Sequence, residues 1–338
     1  MDLISLWLAS AENTVFSGRS LASTLYGLPL DIHLIGELGA GKTHFLQGFA
    51  KALGVKEALT SPTYALEQHY RAADGTDFIH IDCYRLSSGD ARSLLAATDD
   101  HGGIRAIEWA DRVESPTVHP TIRIHLEEKD SGRELSCTYE DMAIPSRDEI
   151  QKWQKEVMLP EHIQLHCDAV ANFCGALSAV LLRRGILLRP LALRRAAEVH
   201  DLLRFLDFRP GASGPFSSVY PEDQQAVFDF WKNHFAGFKH ESACAAFLRE
   251  RGYEALGAMV ETHGLSAPGE SAMKTIEQKL LFYADKRTRY DQIVSLQERF
   301  EDFRDRYAGG RDSEQSRFWY DEVRALEVEL FPEGAPLA

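Results

Sequence analysis

The stretch "IGELGAGKTHF", Ile35 to Phe45, decides the fold of the first part of the chain. The mostly apolar run before it, Leu28 to Ile35, predicts a short buried strand. The residues after it, "THFLQGFAKALG", predict a helix because Phe45, Phe49 and Leu53 recur at four-residue intervals. The quoted stretch is therefore predicted to be a loop that joins a strand to a helix.

This loop fits the phosphate-loop pattern G-x-x-x-x-G-K-[ST], in which backbone N–H groups surround phosphate oxygens at a helix N-terminus. Lys42 is expected to reach the β- and γ-phosphates, and the Thr43 hydroxyl is expected to bind Mg²⁺. The alternative is a chance glycine turn, but the flanking strand and helix match the context of the motif. The sequence therefore predicts a nucleotide site formed by Gly36, Glu37, Leu38, Gly39, Ala40, Gly41, Lys42 and Thr43.

Length and composition narrow the class of protein. The 338 residues suggest two domains, on a prior of roughly 100 to 200 residues per domain. A formal net charge of -14 argues against a broad basic surface that binds nucleic acid. No run approaches the roughly 18 apolar residues of a membrane span, and the first twenty residues do not make a signal peptide. We therefore expect a cytoplasmic protein without membrane contact, whose five cysteines are reduced thiols.

The chain contains two segments with different patterns. Up to about Glu140, short apolar strands alternate with helices, which predicts an α/β phosphate-loop domain with a mainly parallel sheet. The runs "TIRIHLEE" and "RELSCTYE" predict an antiparallel hairpin at the edge of that sheet. From about Glu149 onward, amphipathic helices follow one another, which predicts an all-α domain. We place the domains at 1–145 and 146–310, followed by a helical tail at 311–338.

Carboxylates end two of the apolar strands in the first segment. Asp82 lies in "HIDCYRL" and Glu108 lies in "AIEWADR". Carboxylates at strand ends beside a phosphate loop are where Mg²⁺ and a water-activating base are found. The alternative for each residue is a solvent-exposed cap at the end of a strand.

With these residues in view, the first segment resembles the TsaE (YjeE) family of small ATPases, which act in making the threonylcarbamoyladenosine modification of tRNA. The match covers about Leu3 to Glu140, and it rests on "GELGAGKT", "TSPTY", "HIDCYRL" and "IEW", which come in the family's order. The resemblance implies ATP or ADP with Mg²⁺ as cofactor, the proteins of that pathway as partners, and ATP-driven conformational change. It also implies residue roles: Lys42 on the phosphates, Thr43 and Asp82 near Mg²⁺, Glu108 in a catalytic or metal-linked role, Thr63 close to the γ-phosphate and Trp109 beside the nucleotide.

Histidines and aspartates are distributed over the predicted helices of the second segment. His166 is in register with Val170, Phe173 and Leu177, so it is predicted to point into the apolar face of its helix. Taken singly, a residue of this kind is more often a satisfied core residue than a metal ligand. Taken together, four histidines and two aspartates form an ordered set: His166, His200, Asp201, His240, His263 and Asp285.

This order resembles the HD-domain metal-dependent phosphohydrolases, over about Leu159 to Tyr307, and it is nearest to the branch that hydrolyses nucleotides and dinucleoside polyphosphates. The stretch "FYADKRTRYDQIVSLQERF" is similar to the last ligand segment of that superfamily. The resemblance implies one metal surrounded by His166, His200, Asp201 and Asp285, with Asp201 bridging to a second metal held by His240 and His263. Imidazole and carboxylate ligands suit one or two ions of Fe, Mn, Co, Ni or Zn, which can hold a hydroxide that attacks phosphorus.

Further polar residues near these candidates have alternative roles. Lys286 and Arg287 are predicted to neutralise phosphoryl oxygens, and the alternative is a solvated basic helix face. His162, one turn before His166, is the rival first ligand. The common continuation "HDIGK" is here "HDLLRF", which removes the lysine that often follows the metal ligands.

Two functions remain open at this point. In the first, an ATP-binding module is joined to a true phosphohydrolase that acts on a nucleotide, such as an adenosine monophosphate, or on a related phosphoester. Its catalytic residues are Glu108, Asp201, Lys286 and Arg287. In the second, the chain is a nucleotide-switched interaction protein that docks on tRNA-modification proteins, and its helical half is a metal-stabilised scaffold. The presence of all six metal-ligand candidates favours the first.

Overall fold

The computed structural model describes residues 2–113, 118–208, 220–265, 273–307 and 313–336. The chain divides into two units, one formed by Met1–Ala143 with Val180–Arg189 and one formed by Ile144–Ala179 with Pro190–Ala338. The domain boundaries predicted from sequence place the segment Val180–Arg189 in the second domain. In the structure this segment belongs to the first unit, because Arg189 pairs with Asp141 through two hydrogen bonds of 2.8 Å and Ser17 Oγ donates to Gly185 O over 2.8 Å.

The first unit is built on a seven-stranded sheet in the order β1-β7-β6-β2-β5-β4-β3. The four central strands, β6, β2, β5 and β4, are parallel, and antiparallel strands lie at both edges. The predicted hairpin is confirmed as β6 and β7, whereas the edge strand β1 was not predicted. The strands are β1 Asp2–Leu8, β2 Leu30–Ile35, β3 Glu67–Arg71, β4 Asp77–Asp82, β5 Ile104–Glu108, β6 Thr121–Lys129 and β7 Gly132–Tyr139.

Three helices accompany this sheet: α1 Ala11–Leu21, α2 Lys42–Ala52 and α3 Ser88–Ala97. Helices α1 and α2 approach each other closely at two glycines. A Cβ atom at Gly18 would lie 1.9 Å from Phe45 O, and one at Gly48 would lie 1.9 Å from Val15 O. Phe45 and Phe49 of α2 are fully buried in the core of this unit.

The second unit is helical in its described part. Helix α4 begins at a capping box in which Ser146 and Glu149 satisfy each other's backbone N–H groups. The described helices of this part of the chain are α4 Arg147–Glu156, α5 Glu161–Arg183, α6 Pro190–Val199, α7 Glu222–His234, α8 His240–Arg249, α9 Glu254–Glu261, α10 Ile276–Lys286, α11 Leu296–Tyr307 and α12 Glu314–Leu330. The C-terminal end of α5, from Val180, belongs to the first unit.

Two features of this unit differ from the sequence-based expectation of uninterrupted helices. A two-stranded ribbon, β8 Thr288–Arg289 and β9 Gln292–Ile293, separates α10 from α11. The chain reverses there at Tyr290, which has a left-handed backbone with φ of 58°. The long amphipathic pattern from Met273 to Tyr307 is therefore two helices with a turn between them.

The expectation that no run suits a membrane span does not hold for α5. This helix has 23 residues, and one 18-residue window in it has a mean hydropathy of 1.5. By length and composition alone, the helix is long and apolar enough to cross a membrane. Of that window, 44% is buried inside the structure, and Val170, Phe173 and Leu177 lie in the core. A core helix passes the same test, so the finding is weak support for a membrane span.

Candidate nucleotide site and candidate metal centre

The predicted phosphate loop connects β2 to α2. Its three glycines, Gly36, Gly39 and Gly41, have φ values of 144°, 86° and 102°, which side chains with a Cβ atom rarely adopt. Gly36 is also confined by space, since a Cβ atom there would lie 2.2 Å from Leu126 O. Gly41 is the N-cap of α2, so the first N–H groups of that helix are directed at the loop, as an anion site requires.

Lys42 is buried against the loop that it follows. Its ammonium donates hydrogen bonds to Gly36 O at 2.6 Å and to Glu37 O at 2.9 Å. It also lies 3.8 Å from the ring centroid of Trp109. Burial lowers the pKa of Lys42, although the carboxylate of Glu108 opposes that shift. A phosphate that binds in the loop would offer this ammonium a full negative charge in place of carbonyl oxygens.

The predicted magnesium residues lie together at the carboxyl ends of neighbouring strands. Asp82 and Glu108 are register partners in β4 and β5. Thr43 Oγ1 donates to Glu108 Oε1 over 2.8 Å, and Thr63 Oγ1 donates to Asp82 Oδ2 over 2.6 Å. Hydroxyl and carboxylate oxygens of this kind fit Mg²⁺, which prefers oxygen ligands.

One residue of this cluster was missed from sequence. His80 Nε2 lies 3.0 Å from Glu108 Oε1, and its side chain is fully buried. A signal was present, because His80 and Asp82 are two residues apart on one strand and so share a face of the sheet. His80 and Thr43 thus contact the same oxygen of the Glu108 carboxylate, Oε1.

Other residues predicted to bind the nucleotide lie in different environments. Trp109 has a left-handed backbone with φ of 59°, and its ring packs 4.9 Å from that of Tyr84. Ala40 is fully buried, whereas Leu38 is 72% exposed at the tip of the loop. Trp109 is therefore held beside Lys42, and Leu38 faces solvent.

In the second unit, the six predicted metal ligands converge. Candidate ligand atoms of His166, His200 and Asp285 lie within 4.8 Å of one another, as do those of His200, Asp201 and His263. His166 Nε2 is 3.0 Å from Asp285 Oδ1. Asp201 Oδ1 is 3.1 Å from His240 Nε2 and 3.4 Å from His263 Nε2. His200 thus belongs to both groups, and Asp201 contacts the two histidines assigned to the second metal.

Backbone carbonyls orient three of these histidines. The Nδ1–H groups of His166, His200 and His263 donate to Tyr290 O, Ala197 O and Val260 O at 2.7, 2.8 and 2.6 Å. In the neutral imidazole, the Nε2 lone pair of each ring then faces the carboxylates of the cluster. Nitrogen lone pairs and carboxylate oxygens that face each other need a positive charge between them, which a metal ion or added protons would provide.

The carboxylates of the cluster are negatively charged. Burial raises the pKa of Asp201, but the neighbouring His200 and Arg204 outweigh it and hold the pKa well below the usual range. Burial likewise opposes ionisation of Asp285, while Lys286 and His166 hold its pKa well below the usual range. In addition, the buried Nε2 atom of His200 has no hydrogen-bond partner within the described residues. Two anionic carboxylates and an unpartnered imidazole nitrogen are a donor set suited to a divalent transition metal.

The basic residues predicted to be catalytic lie in two different places. Lys286 Nζ donates to His263 O over 3.0 Å and pairs with Asp285, so it borders the cluster. Arg287 instead donates to Val294 O and to Tyr283 Oη and pairs with Glu327. These partners of Arg287 are not among the predicted metal ligands, and its catalytic role stays a prediction. The rival ligand His162 is in none of the groups of converging ligand atoms found among the described residues.

Three residues beside the cluster were missed from sequence. Asp207 Oδ2 and Glu241 Oε2 lie 2.5 and 3.2 Å from His240 Nδ1. Arg204 Nη1 lies 2.9 Å from each ring nitrogen of His240. Arg204 occupies the position that the lysine has in "HDIGK", so a cation is retained there although the lysine is not. Asp207 was not predictable because it lies on a short 3₁₀ turn, Arg204–Asp207, with no periodic pattern.

Comparisons with known proteins concern the first part of the chain. The family model for the threonylcarbamoyl adenosine biosynthesis protein TsaE matches residues 8–135. A tRNA threonylcarbamoyladenosine biosynthesis protein TsaE from Nostoc sp. is 31% identical over 151 residues, which cover 42% of this chain and 92% of the relative. The protein of that name from Streptomyces coelicolor is 34% identical over 113 residues, which cover 32% and 76%.

Two further comparisons complete the set. The TsaE protein from Aquifex aeolicus is 40% identical over 107 residues, which cover 31% of this chain and 75% of the relative. The crystal structure of Bacillus subtilis YdiB is 26% identical in sequence, with a TM-score of 0.32 over 41% of this chain and 86% of that one. Since the family model spans the phosphate loop and both carboxylates predicted to serve Mg²⁺, and the relatives are matched over most of their length, the chain belongs to the TsaE family.

Proposed function

We propose that the first unit binds and hydrolyses ATP with Mg²⁺ and acts in tRNA threonylcarbamoyladenosine biosynthesis together with proteins of that pathway. The names of the TsaE relatives support the pathway. The contact of 2.8 Å between Thr43 and Glu108, beside a buried Lys42, supports the nucleotide chemistry. Phosphate release from ATP, measured with and without Mg²⁺, tests this part.

In this site, different residues of the chain would bind the phosphates, hold Mg²⁺ and accept a proton. The N–H groups at Gly41 and the ammonium of Lys42 would bind and orient the phosphates. Thr43, Asp82 and Glu108 would hold Mg²⁺, which supplies positive charge against the phosphate oxygens. Glu108, which His80 contacts, would accept a proton from an attacking water.

We further propose that the second unit is an HD-type, metal-dependent phosphohydrolase that acts on nucleotides or related phosphoesters. The observation that carries this proposal is the convergence of four histidines and two aspartates from separate elements on one buried cluster. The unpartnered Nε2 atom of His200 supports a metal at this place, because leaving a buried nitrogen without a partner costs free energy in a purely structural cluster.

The cluster has the groups that phosphoester hydrolysis needs. His166, His200, Asp201 and Asp285 would hold one ion of Fe, Mn, Co, Ni or Zn, and Asp201 with His240 and His263 would hold a second. Such ions supply a hydroxide at neutral pH and charge for the phosphoryl oxygens. Arg204 and Lys286 lie at the border of the cluster and add fixed positive charge, which would stabilise a phosphoryl group in the transition state.

Metal analysis of the full chain, combined with a phosphate-release assay on a panel of nucleoside monophosphates and other phosphoesters, tests this proposal. We expect a bound transition metal and metal-dependent hydrolysis of at least one compound. A chelator should stop the reaction, and Mn²⁺, Co²⁺ or Ni²⁺ should restore it, because geometry rather than raw affinity selects among these ions. A metal-loaded protein that is inactive on the whole panel would instead support a metal-stabilised scaffold in a nucleotide-switched interaction protein.

A further inference from the structure

His240 differs from the other three histidines of the metal cluster in the group that accepts its Nδ1–H. The rings of His166, His200 and His263 donate to backbone carbonyls, which are neutral. His240 Nδ1 instead lies 2.5 Å from Asp207 Oδ2. Because an ionised carboxylate can only accept a hydrogen bond, Nδ1 carries the proton and the Nε2 lone pair of His240 is left for a metal ion.

The hydrogen bond between His240 and Asp207 is charge-assisted. Such bonds are shorter and stronger than bonds to neutral acceptors. A histidine that donates to a carboxylate also becomes a more basic metal ligand. The side chain of His240 is 4% exposed, whereas that of Asp207 is 35% exposed. Asp207 therefore lies at the edge of the cluster and can be replaced without removing any of the six predicted ligands.

The second metal position has few carboxylates of its own. In the function proposed above, the first ion is bound by Asp201 and Asp285, whereas the second ion has only Asp201, which the two ions share. Glu241 Oε2 lies 3.2 Å from His240 Nδ1, next to Asp207, and this buried oxygen has no hydrogen-bond partner within the described residues. A buried carboxylate of this kind is favourable only beside positive charge. Asp207 and Glu241 thus add negative charge at the histidine that only the second ion uses.

Asp207 also contacts a cation. Arg204 Nη1 lies 3.5 Å from Asp207 Oδ2 and 2.9 Å from each ring nitrogen of His240. A positive charge at this place repels a metal ion bound at Nε2, whereas the negative charge of Asp207 attracts it. Replacement of Arg204 and replacement of Asp207 should therefore change the affinity of that ion in opposite directions.

We infer that Asp207 is a positioning residue for the second metal ion, which holds the His240 ring with Nε2 toward the ion and strengthens His240 as a ligand. This inference rests on the two-ion centre of the proposed function. It assigns Asp207 to the affinity of the second ion and not of the first, because His240 is not among the ligands of the first. Hydrogen-bond partners of metal-bound histidines contribute about tenfold to a hundredfold to metal affinity.

Calorimetric titration of the metal-free full chain with Co²⁺ tests this role. Excess Mg²⁺ is present throughout, so that the oxygen ligands predicted in the first unit are already occupied. Asp207→Asn removes the charge and keeps an acceptor, and Asp207→Ala removes both. Glu250→Gln is the matched control, because Glu250 pairs with His234 Nε2 over 3.2 Å and neither residue belongs to the groups of converging ligand atoms.

Two further measurements accompany the titration. The visible absorption of bound Co²⁺ reports how many ions occupy sites with imidazole ligands. The unfolding temperature of the metal-free chain reports any loss of stability in a variant. Neither measurement requires a phosphoester, so the result does not depend on whether the centre is a phosphohydrolase.

We expect the wild-type chain to bind two Co²⁺ ions, the second more weakly because its one carboxylate ligand is shared. Asp207→Ala should raise the Kd of the weaker ion by about tenfold to a hundredfold and leave that of the tighter ion unchanged. Asp207→Asn should show a smaller loss, and Glu250→Gln should match the wild-type chain. Arg204→Gln should bind the weaker ion at least as tightly as the wild-type chain. If Asp207→Ala does not fold, the loss in Asp207→Asn decides the question.

Three outcomes would overturn the inference while the two-ion centre stands. The first is a Kd for the weaker ion within about twofold of the wild-type value in folded Asp207 variants. The second is an equal loss of affinity for both ions, which a general loss of structure would cause. The third is a matching loss in Arg204→Gln, which would mean that Asp207 acts only by holding Arg204. A wild-type chain that binds fewer than two Co²⁺ ions would overturn the second ion of the proposed centre together with this inference.

Discussion

Lys42 is bound to its own loop in the structure, where its ammonium contacts the carbonyl groups of Gly36 and Glu37. We expect Lys42→Ala to abolish binding of ATP and ADP, because the loop itself offers the phosphates no other side-chain cation. Calorimetry measures this, and Lys51→Ala, which removes a lysine from the last turn of the same helix, is the matched control. An unchanged ADP affinity in Lys42→Ala would contradict the phosphate-loop assignment.

Glu108 contacts both Thr43 and His80, so its carboxylate is held at the position proposed for water activation. We expect Glu108→Ala to slow ATP turnover more than it weakens nucleotide binding, because the group acts on water rather than on the ground-state nucleotide. Steady-state rates and calorimetric titration separate the two effects. Equal losses in rate and affinity would make Glu108 a binding residue instead.

At the scale of residues, the site residues that could be predicted from the sequence belong to a motif or lie at the end of a strand. Asp82 and Glu108 were predicted to bind Mg²⁺ or activate water because each ends an apolar strand beside the phosphate loop, and the structure has them as register partners. Asp207 and Arg204 could not be predicted, because their contacts with His240 depend on how a 3₁₀ turn meets α8.

At the scale of elements, the contact between α1 and α2 depends on two glycines. We expect Gly18→Ala to destabilise the protein by at least about 1–3 kcal/mol, because its Cβ atom would lie 1.9 Å from a backbone oxygen that cannot move without shifting α2. Denaturant unfolding measures the effect. Gly27→Ala is the control, since a Cβ atom there meets nothing within 4 Å, and it should change stability by less than about 0.5 kcal/mol. If the two variants had the same free energy of unfolding, α1 and α2 could move apart at Gly18 without a loss of stability, which would contradict this prediction.

Element prediction succeeded where hydrophobic periodicity and a motif agreed, as for β2 and α2. Strand β1 was missed although its residues alternate strictly between buried and exposed, because it precedes the first recognisable motif and pairs with β7, which is distant in sequence. The break between α10 and α11 was missed because amphipathic spacing continues through the ribbon, in which the chain reverses at the left-handed backbone of Tyr290. A local sequence pattern indicates neither the pairing of strands that are distant in sequence nor a single residue at which the chain reverses direction.

At the scale of the whole molecule, the chain combines a unit of the TsaE family with a helical unit whose six candidate ligands converge although they are separated by up to 119 positions. Composition alone could suggest two domains, but not that Val180–Arg189 belongs to the first unit. That assignment depends on buried contacts such as the pair of Arg189 and Asp141, which no sequence period marks.

The most direct test of the proposed phosphohydrolase is phosphate release from a nucleoside monophosphate by two variants of the full chain, assayed without ATP. Lys42→Ala should retain this activity, because the metal cluster contains no residue of the phosphate loop. Asp201→Ala should lose at least about a hundredfold in rate, comparable to the removal of a catalytic electrostatic group, because its carboxylate contacts His240 and His263 and belongs to the group that includes His200. Activity retained in Asp201→Ala, with the metal still bound, would contradict the proposed centre.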